Sequence, residues 1–251
     1  EKPSRDHTEL MLKFLGAEIN IEKKNNSNTI KIHGPAILRA NNFYIPGDVS
    51  SAAFLIVATI LTKNSKITIK NVGINNYRTG LIDVLKKMNG KISIQNKRTI
   101  NSEVVADIIV SYSKLKAVQL NESFTTRLID EYPILFVAAS FADGISVFKG
   151  LEELKFKESN RIESMQKALK DAGVNINVKN NIVKIKGNQS QNGGNLVQTN
   201  KDHRIAMSML VFGMVSRQPI LVDDMRMINT SFPGFKDCLQ KIGANIEVVQ
   251  K

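Results

Sequence analysis

Three short segments of this sequence set cations beside carboxylates. In Lys157-Glu158-Ser159-Asn160-Arg161 the lysine and arginine stand four apart, with Glu158 three before Arg161. On a helix those spacings share one face. They make an anion clamp in which a carboxylate between cations can donate or accept a proton. Taken alone, the same cluster is also an ordinary surface ion-pair group. In Asp202-His203-Arg204 an arginine falls in the first turn of an apolar run. Arginine is almost never buried alone, so an anionic ligand or a carboxylate partner is implied. Ser4-Arg5-Asp6-His7-Thr8-Glu9 sets another arginine just ahead of a helix, where a solvated helix start is the simpler reading. No nucleophilic triad, Walker A loop or G-x-G-x-x-G motif occurs, and Cys238, His7, His33 and His203 are too dispersed to build one. This inventory suits proton transfer on anionic substrates, with no covalent catalysis, metal or cofactor expected.

The elements that must position these residues repeat along the chain. Three apolar runs directly follow Asp48, Asp130 and Asp202, and each aspartate reads as the N-cap of a helix that is apolar nearly all round and therefore buried. Helix N-termini carry partial positive charge and free amides, so three of them pointing to one end would favour an anion. Plain capping is the alternative. A β-branched strand follows each helix (66–70, 144–148, 219–223), then a second helix closing on Gly90, Gly173 or Gly243, then an alternating strand (91–94, 174–178, 244–248). The aspartate-to-glycine distances are 42, 43 and 41 residues, and such a near-fixed period marks repeat architecture. Residues 1–20 carry only the second half of such a unit: a helix from Thr8 to Leu15, Gly16 as its cap, and a strand from Ala17. A linker at 40–47 with Pro46-Gly47 separates it from three complete units. The polar, glycine-rich stretch 187–201 reads as a mobile loop.

Composition narrows the class. Thirty-five Lys and Arg against 23 Asp and Glu give a net charge of +12, which raises nucleic acid, a membrane surface or an anionic substrate as partners. The cations are spread along the chain, and the 15 Phe and Tyr do not interleave with them as an RNA-binding sheet requires. Apolar runs such as 52–61 fall short of the ~20 residues that span a bilayer. A soluble protein with no nucleic-acid or membrane partner is expected. The lone cysteine fits a reducing compartment. A first residue of Glu1 suggests a processed chain or a fragment.

Six segments together resemble the EPSP synthase (3-phosphoshikimate 1-carboxyvinyltransferase) family. They are Ser-Arg-Asp-His-Thr-Glu (4–9), Pro-Gly-Asp-Val-Ser-Ser-Ala-Ala-Phe (46–54), Ile-Asp-Glu-Tyr-Pro (129–133), Glu-Leu-Lys-Phe-Lys-Glu-Ser-Asn-Arg (153–161), Asp-His-Arg-Ile-Ala-Met (202–207) and Thr-Ser-Phe-Pro-Gly-Phe (230–235), in family order and across nearly the whole chain. The resemblance implies two lobes, each an inverse α/β barrel of three βαβαββ units. Residues 1–45 would then be the C-terminal remnant of the N-terminal lobe and 46–251 the C-terminal lobe, with most of the other lobe missing.

It also implies a reaction: transfer of the enolpyruvyl group of phosphoenolpyruvate to the 5-hydroxyl of shikimate 3-phosphate, through a tetrahedral intermediate, releasing phosphate. Asp130 resembles the base near that hydroxyl, and Glu158 the group exchanging a proton at the phosphoenolpyruvate methylene. Lys157 and Arg5 resemble shikimate 3-phosphate contacts, Arg5 from the other lobe. Arg161 and Arg204 resemble the phosphoenolpyruvate clamp, whose guanidinium forks match carboxylate and phosphate. A cytoplasmic monomer without cofactor is expected, and this chain alone is expected to be inactive. Two departures stand out: Thr230 where some members carry lysine, and Asn160 where aspartate is common. The rivals are the related enolpyruvyltransferase acting on UDP-N-acetylglucosamine and a non-catalytic basic binding lobe.

Overall fold

The computed structural model describes residues 3–25 and 27–249. The described chain begins with helix α1 (His7–Phe14) and an antiparallel hairpin of β1 (Ile19–Lys24) and β2 (Ser27–Ile32). Ala17 and Ile19 are buried, whereas Ile21, Ile30 and Ile32 face outward.

The next unit opens where Gly47 pairs in parallel with Val72. It runs through α2 (Val49–Leu61), β3 (Lys66–Gly73), α3 (Gly80–Lys87), β4 (Lys91–Ile100) and β5 (Glu103–Ser111), with sheet order β3-β5-β4, all antiparallel. The middle unit repeats this layout. It comprises β6 (Gln119–Leu120), α4 (Thr125–Leu128), α5 (Tyr132–Ser140), β7 (Ile145–Phe148), α6 (Arg161–Asp171), β8 (Asn175–Lys179) and β9 (Ile182–Lys186). Its sheet order is β6-β7-β9-β8, with β6 parallel to β7 and the rest antiparallel. The last unit holds β10 (Leu196–Val197), α7 (His203–Gly213), β11 (Leu221–Val222), α8 (Ile228–Ser231) and α9 (Phe235–Lys241), with β10 parallel to β11.

Helices α2, α5 and α7 pack against one another at the centre. Their apolar character explains this: every residue of α5 is buried, as are eleven of the thirteen in α2. Helix hydroxyls there need partners, and Thr59 and Ser140 donate to the carbonyls of Leu55 and Phe136 one turn back. The amphipathic α3 and α6 turn only one face inward, through Leu81, Ile82, Val84 and Leu85 in one and Ile162, Met165, Ala168 and Leu169 in the other.

One backbone signature recurs four times. At the ends of α1, α3, α6 and α9 two crossed bonds close the helix: Gly16 to Lys13 and Ala17 to Leu12, Asn89 to Lys86 and Gly90 to Leu85, Gly173 to Lys170 and Val174 to Leu169, Gly243 to Gln240 and Ala244 to Leu239. This is the Schellman pattern, and it needs a left-handed residue. Gly16, Gly173 and Gly243 supply it, but in α3 the left-handed residue is Asn89 (φ 72°) rather than Gly90. Gly90 is required for another reason, since a Cβ there would lie 2.7 Å from the Leu85 carbonyl oxygen.

Three further expectations are corrected. Asp130 does not cap a helix: Pro133 sits in the first turn of α5, a position proline favours, so the helix begins at Tyr132 and Asp130 lies upstream in the 3-10 turn Ile129–Glu131. Residues 244–248 form no strand, because the β10–β11 pair supplies no ladder partner among the described residues; Ile246 is buried, its carbonyl accepting from Gln240 Nε2 at 2.8 Å. The last unit therefore lacks the closing strand pair of the other two. The stretch 187–201 is tied down, holding β10 and backbone bonds from Gln218 to Asn192 and from Gly194 to Pro219.

Candidate functional site

The N-terminal ends of α2, α5 and α7 converge, and the six residues singled out in sequence meet there in one network. Asp130 is its hub. Its carboxylate accepts from Arg5 at 2.5 Å and lies 3.6 Å from Lys157 Nζ and 3.5 Å from Arg161 Nη1. Its backbone carbonyl accepts from Arg204 Nη1 at 3.0 Å. Burial alone would raise the Asp130 carboxyl. Arg204, Arg5 and Lys157 outweigh it and hold the group at about 2.

Arg161 opens α6 and is 1% exposed, which a guanidinium tolerates only when paired. Its Nε donates to Asp202 at 2.9 Å, and Nη2 donates to Asp202 at 3.4 Å and to Glu158 at 2.5 Å. Asp202 is fully buried, accepts from Ser159 Oγ at 3.0 Å, and caps α7 through the Arg204 N–H at 2.9 Å. Burial raises Asp202, but the bonds from Arg161 prevail and keep it below the usual carboxylate range. One aspartate thus fixes both the Arg161 fork and the helix turn carrying Arg204. Glu158 is 48% exposed, leaving its carboxylate open to solvent beside Arg161. Lys157 is also held by Glu153 at 2.9 Å. Burial and the neighbouring Arg204 push the His203 imidazole down, favouring its neutral form.

Sequence reasoning missed a second layer. Glu131 is buried next to Asp130; its carboxylate accepts from Ser50 Oγ at 2.5 Å and lies 3.6 Å from Arg204 Nη1. Burial pushes Glu131 up against the opposing pull of Arg204 and Ser50. Arg78 donates to Ser50 Oγ at 2.9 Å and to Asp48 at 2.6 Å. Arg78 was legible in the repeat. A cation stands two to four residues ahead of α1, α3 and α6 as Arg5, Arg78 and Lys157. Nothing local marks Ser50 or Glu131, because their contact joins two units.

The arrangement presents guanidinium and ammonium groups from separate elements toward one carboxylate, with a second, exposed carboxylate alongside. Such a set binds and orients anions and moves protons. Among the described residues no cluster of His, Cys, Asp and Glu could hold a metal ion, and no helix is long and apolar enough to cross a membrane.

Known proteins share this plan. The model of the EPSP synthase (3-phosphoshikimate 1-carboxyvinyltransferase) family matches residues 1–239. A 3-phosphoshikimate 1-carboxyvinyltransferase from Zymomonas mobilis is 43% identical over 98% of this chain and 55% of its own length. One from Bartonella henselae is 46% identical over 97% of this chain and 56% of its own length. An EPSP synthase structure from Acinetobacter baumannii superimposes with a TM-score of 0.91 at 36% identity, over 99% of this chain and 57% of that one. The enolpyruvyl transferase NikO from Streptomyces tendae shares the fold, with a TM-score of 0.76 at 18% identity. The chain spans about 55% of the length of the curated relatives it matches. With a family model covering nearly all of the sequence and the same fold in a solved member, the chain belongs to the EPSP synthase family.

Proposed function

We propose that this chain forms most of an enzyme that transfers the enolpyruvyl group of phosphoenolpyruvate to the 5-hydroxyl of shikimate 3-phosphate. The observation that carries this reading is the convergence of Arg5, Lys157, Arg161 and Arg204 on Asp130 from separate elements. Two anionic substrates repel one another, so cations must offset that repulsion before bonds change. Arg161 and Arg204 face the phosphoenolpyruvate carboxylate and phosphate, while Lys157 and Arg5 take the shikimate 3-phosphate.

In the addition step the 5-hydroxyl oxygen bonds to C2 of phosphoenolpyruvate. Asp130 accepts the hydroxyl proton, and Glu158 delivers a proton to the methylene carbon. In the elimination step Glu158 takes a proton back from the new methyl group. The bond from C2 to the phosphate oxygen breaks, and inorganic phosphate leaves with the proton from Asp130. With its carboxyl at about 2, Asp130 is a weak base while Arg5 and Lys157 engage it. A substrate phosphate that draws those two cations away, with phosphoenolpyruvate engaging Arg204, the largest of the opposing charges, raises its basicity. Half-exposed beside Arg161, Glu158 has a carboxylate open to a ligand that binds there.

Residues 1–45 form part of an N-terminal lobe and 46–251 the C-terminal lobe, an inverse α/β barrel with α2, α5 and α7 inside and the sheets outside. The outward isoleucines of β1 and β2 support contact with further polypeptide. The whole enzyme acts as a cytoplasmic monomer without a cofactor, and this chain alone turns over no substrate. The test is phosphate release from phosphoenolpyruvate, measured on this chain and on the full-length enzyme. Release by the full-length enzyme that needs shikimate 3-phosphate is expected, with none when UDP-N-acetylglucosamine replaces it. Release with the sugar nucleotide, or turnover by the 251-residue chain, overturns the corresponding part of the proposal.

A further inference from the structure

Glu131 is a buried carboxylate that the proposed reaction does not use, and it stands where three units of the fold meet. It belongs to the 3-10 turn ahead of α5; Ser50 reaches it from the first turn of α2, and Arg204 from the first turn of α7. Behind Ser50 stands Arg78, which donates to that hydroxyl at 2.9 Å and to Asp48 at 2.6 Å. Ser50 has one hydroxyl proton, and it goes to Glu131; its oxygen accepts from Arg78, so the order Arg78 to Ser50 to Glu131 is set by donor count. The chain of contacts ends on the Arg204 guanidinium, 3.6 Å from the Glu131 oxygen.

Arg204 needs such a brace. Among the described residues the one hydrogen bond from its side chain to another element runs from Nη1 to the Asp130 carbonyl, and the Glu131 carboxylate lies at the same nitrogen. One such bond leaves a guanidinium free to swing, whereas bidentate recognition of a carboxylate or phosphate needs a fixed plane. Arg161 is held differently, by Asp202 at two nitrogens. Each arginine of the clamp therefore has its own buried acid.

We infer that Glu131, fixed by Ser50 and Arg78, is a positioning residue that sets the plane of the Arg204 guanidinium for its anionic ligand. The inference rests on the proposed role of Arg204 with phosphoenolpyruvate. Glu131 touches neither substrate; it acts through Arg204. Its loss weakens the phosphoenolpyruvate side of the site and spares the shikimate 3-phosphate side, which Arg5 and Lys157 serve.

In the full-length enzyme, Glu131→Ala is expected to raise KM for phosphoenolpyruvate about tenfold, the worth of one charge-assisted contact, with KM for shikimate 3-phosphate nearly unchanged. Glu131→Gln keeps an oxygen to accept from Ser50 and is expected to recover part of that loss. Equal changes in both KM values, or none, overturn the inference. A second measurement avoids catalysis and any variant that folds poorly. Ser50→Ala keeps the carboxylate, and nitrogen NMR of this chain reads how fast the Arg204 guanidinium rotates. Faster rotation is expected, and an unchanged rate refutes the brace whatever the enzyme does. Arg204→Ala separates the two claims. If it leaves KM for phosphoenolpyruvate unchanged, the assignment of Arg204 fails, whereas unaltered rotation in Ser50→Ala defeats only the positioning role.

Discussion

Replacing Arg161 by methionine probes the centre of the network. The guanidinium is 1% exposed and Asp202 is wholly buried, and the two meet through Nε at 2.9 Å and Nη2 at 3.4 Å. Methionine fills a similar volume, so packing changes little while the charge disappears. Asp202 then keeps only Ser159 Oγ and the Arg204 N–H as donors. An uncompensated buried charge of this kind costs about 3–5 kcal/mol. Asp202→Asn is milder, because the amide oxygen still caps α7 and Arg161 retains Glu158 and Asp130. Its expected cost is about 1–3 kcal/mol.

Joining both changes removes the two charges together. The double variant is expected to lose less than the sum of the singles, by about 1–3 kcal/mol of coupling. Urea unfolding of this chain, followed by circular dichroism, reads the difference. A loss of 3–5 kcal/mol corresponds to a midpoint shift of about 1–2 M. Repeating the titration in molar sodium chloride adds a control. A pair this buried is poorly screened, so the shift should persist, whereas a surface pair would fade. Costs that add independently, or an Arg161→Met loss below about 1 kcal/mol, would refute the reasoning that a buried charge needs its partner here.

Three other outcomes follow from the same geometry. Asp130 moves from 3.8 to about 2 on folding, so its contribution is present above pH 4 and is lost as pH falls through 2; Asp130→Asn should differ from the parent by about 1–2 kcal/mol at pH 7 and converge with it only below pH 2, and a difference constant with pH argues against it. A Cβ on Gly187 would lie 1.9 Å from the Ala142 carbonyl oxygen and 2.6 Å from that of Ala139, so Gly187→Ala should lower stability by about 3 kcal/mol, and a thermal midpoint within a degree of the parent counts against it. Asn89 carries the left-handed turn that closes α3 and donates from Nδ2 to the Lys114 carbonyl at 3.3 Å, a bond both substitutions lose, so Asn89→Ala should cost about 1 kcal/mol more than Asn89→Gly in the same melt; identical losses would deny the role of backbone handedness.

How much of this was legible before the fold was known depends on how local each cause is. The Schellman ends at Gly16, Gly173 and Gly243 announce themselves because glycine at a helix terminus is decided within a few residues. The buried helices behind Asp48 and Asp202 were equally plain, since a cap and an unbroken apolar run suffice. Asp130 was misplaced as a cap because Pro133 shifts the helix start, a one-residue effect that moves the cap to Glu131 and that an apolar run conceals. The strand expected at 244–248 failed for another cause. Alternation shows that a segment can pair but not whether a partner edge exists. The six candidate residues were found from charge type and from family likeness, and their meeting depends on the packing of α2, α5 and α7. Glu131 and Ser50 show the limit, because each is unremarkable in its own segment and becomes informative only across the junction between units.

That junction also changes how the basic charge of the chain should be understood. Five cations meet there, Arg5, Arg78, Lys157, Arg161 and Arg204, and six carboxylates answer them, Asp48, Asp130, Glu131, Glu153, Glu158 and Asp202. The network is therefore near neutral, and the excess of +12 lies elsewhere on the molecule. A site of bare cations would attract any anion but would leave its guanidiniums mobile and mutually repelling. Pairing each with an internal acid holds the donors in place at low reorganisation cost. An incoming anion must then replace a carboxylate that already fits, so only a ligand offering as many acceptor oxygens in the same geometry gains from the exchange. Asp130, which Arg5 and Lys157 reach from the more exposed side, is shallower than Asp202 and Glu131. Asp202 and Glu131, deeper in the fold, remain with their arginines. The acids that hold the cations in place thus differ in depth, from Asp202 and Glu131 through Asp130 to the half-exposed Asp48 and Glu158, and on the proposed reaction it is the shallower ones that an anionic substrate can displace.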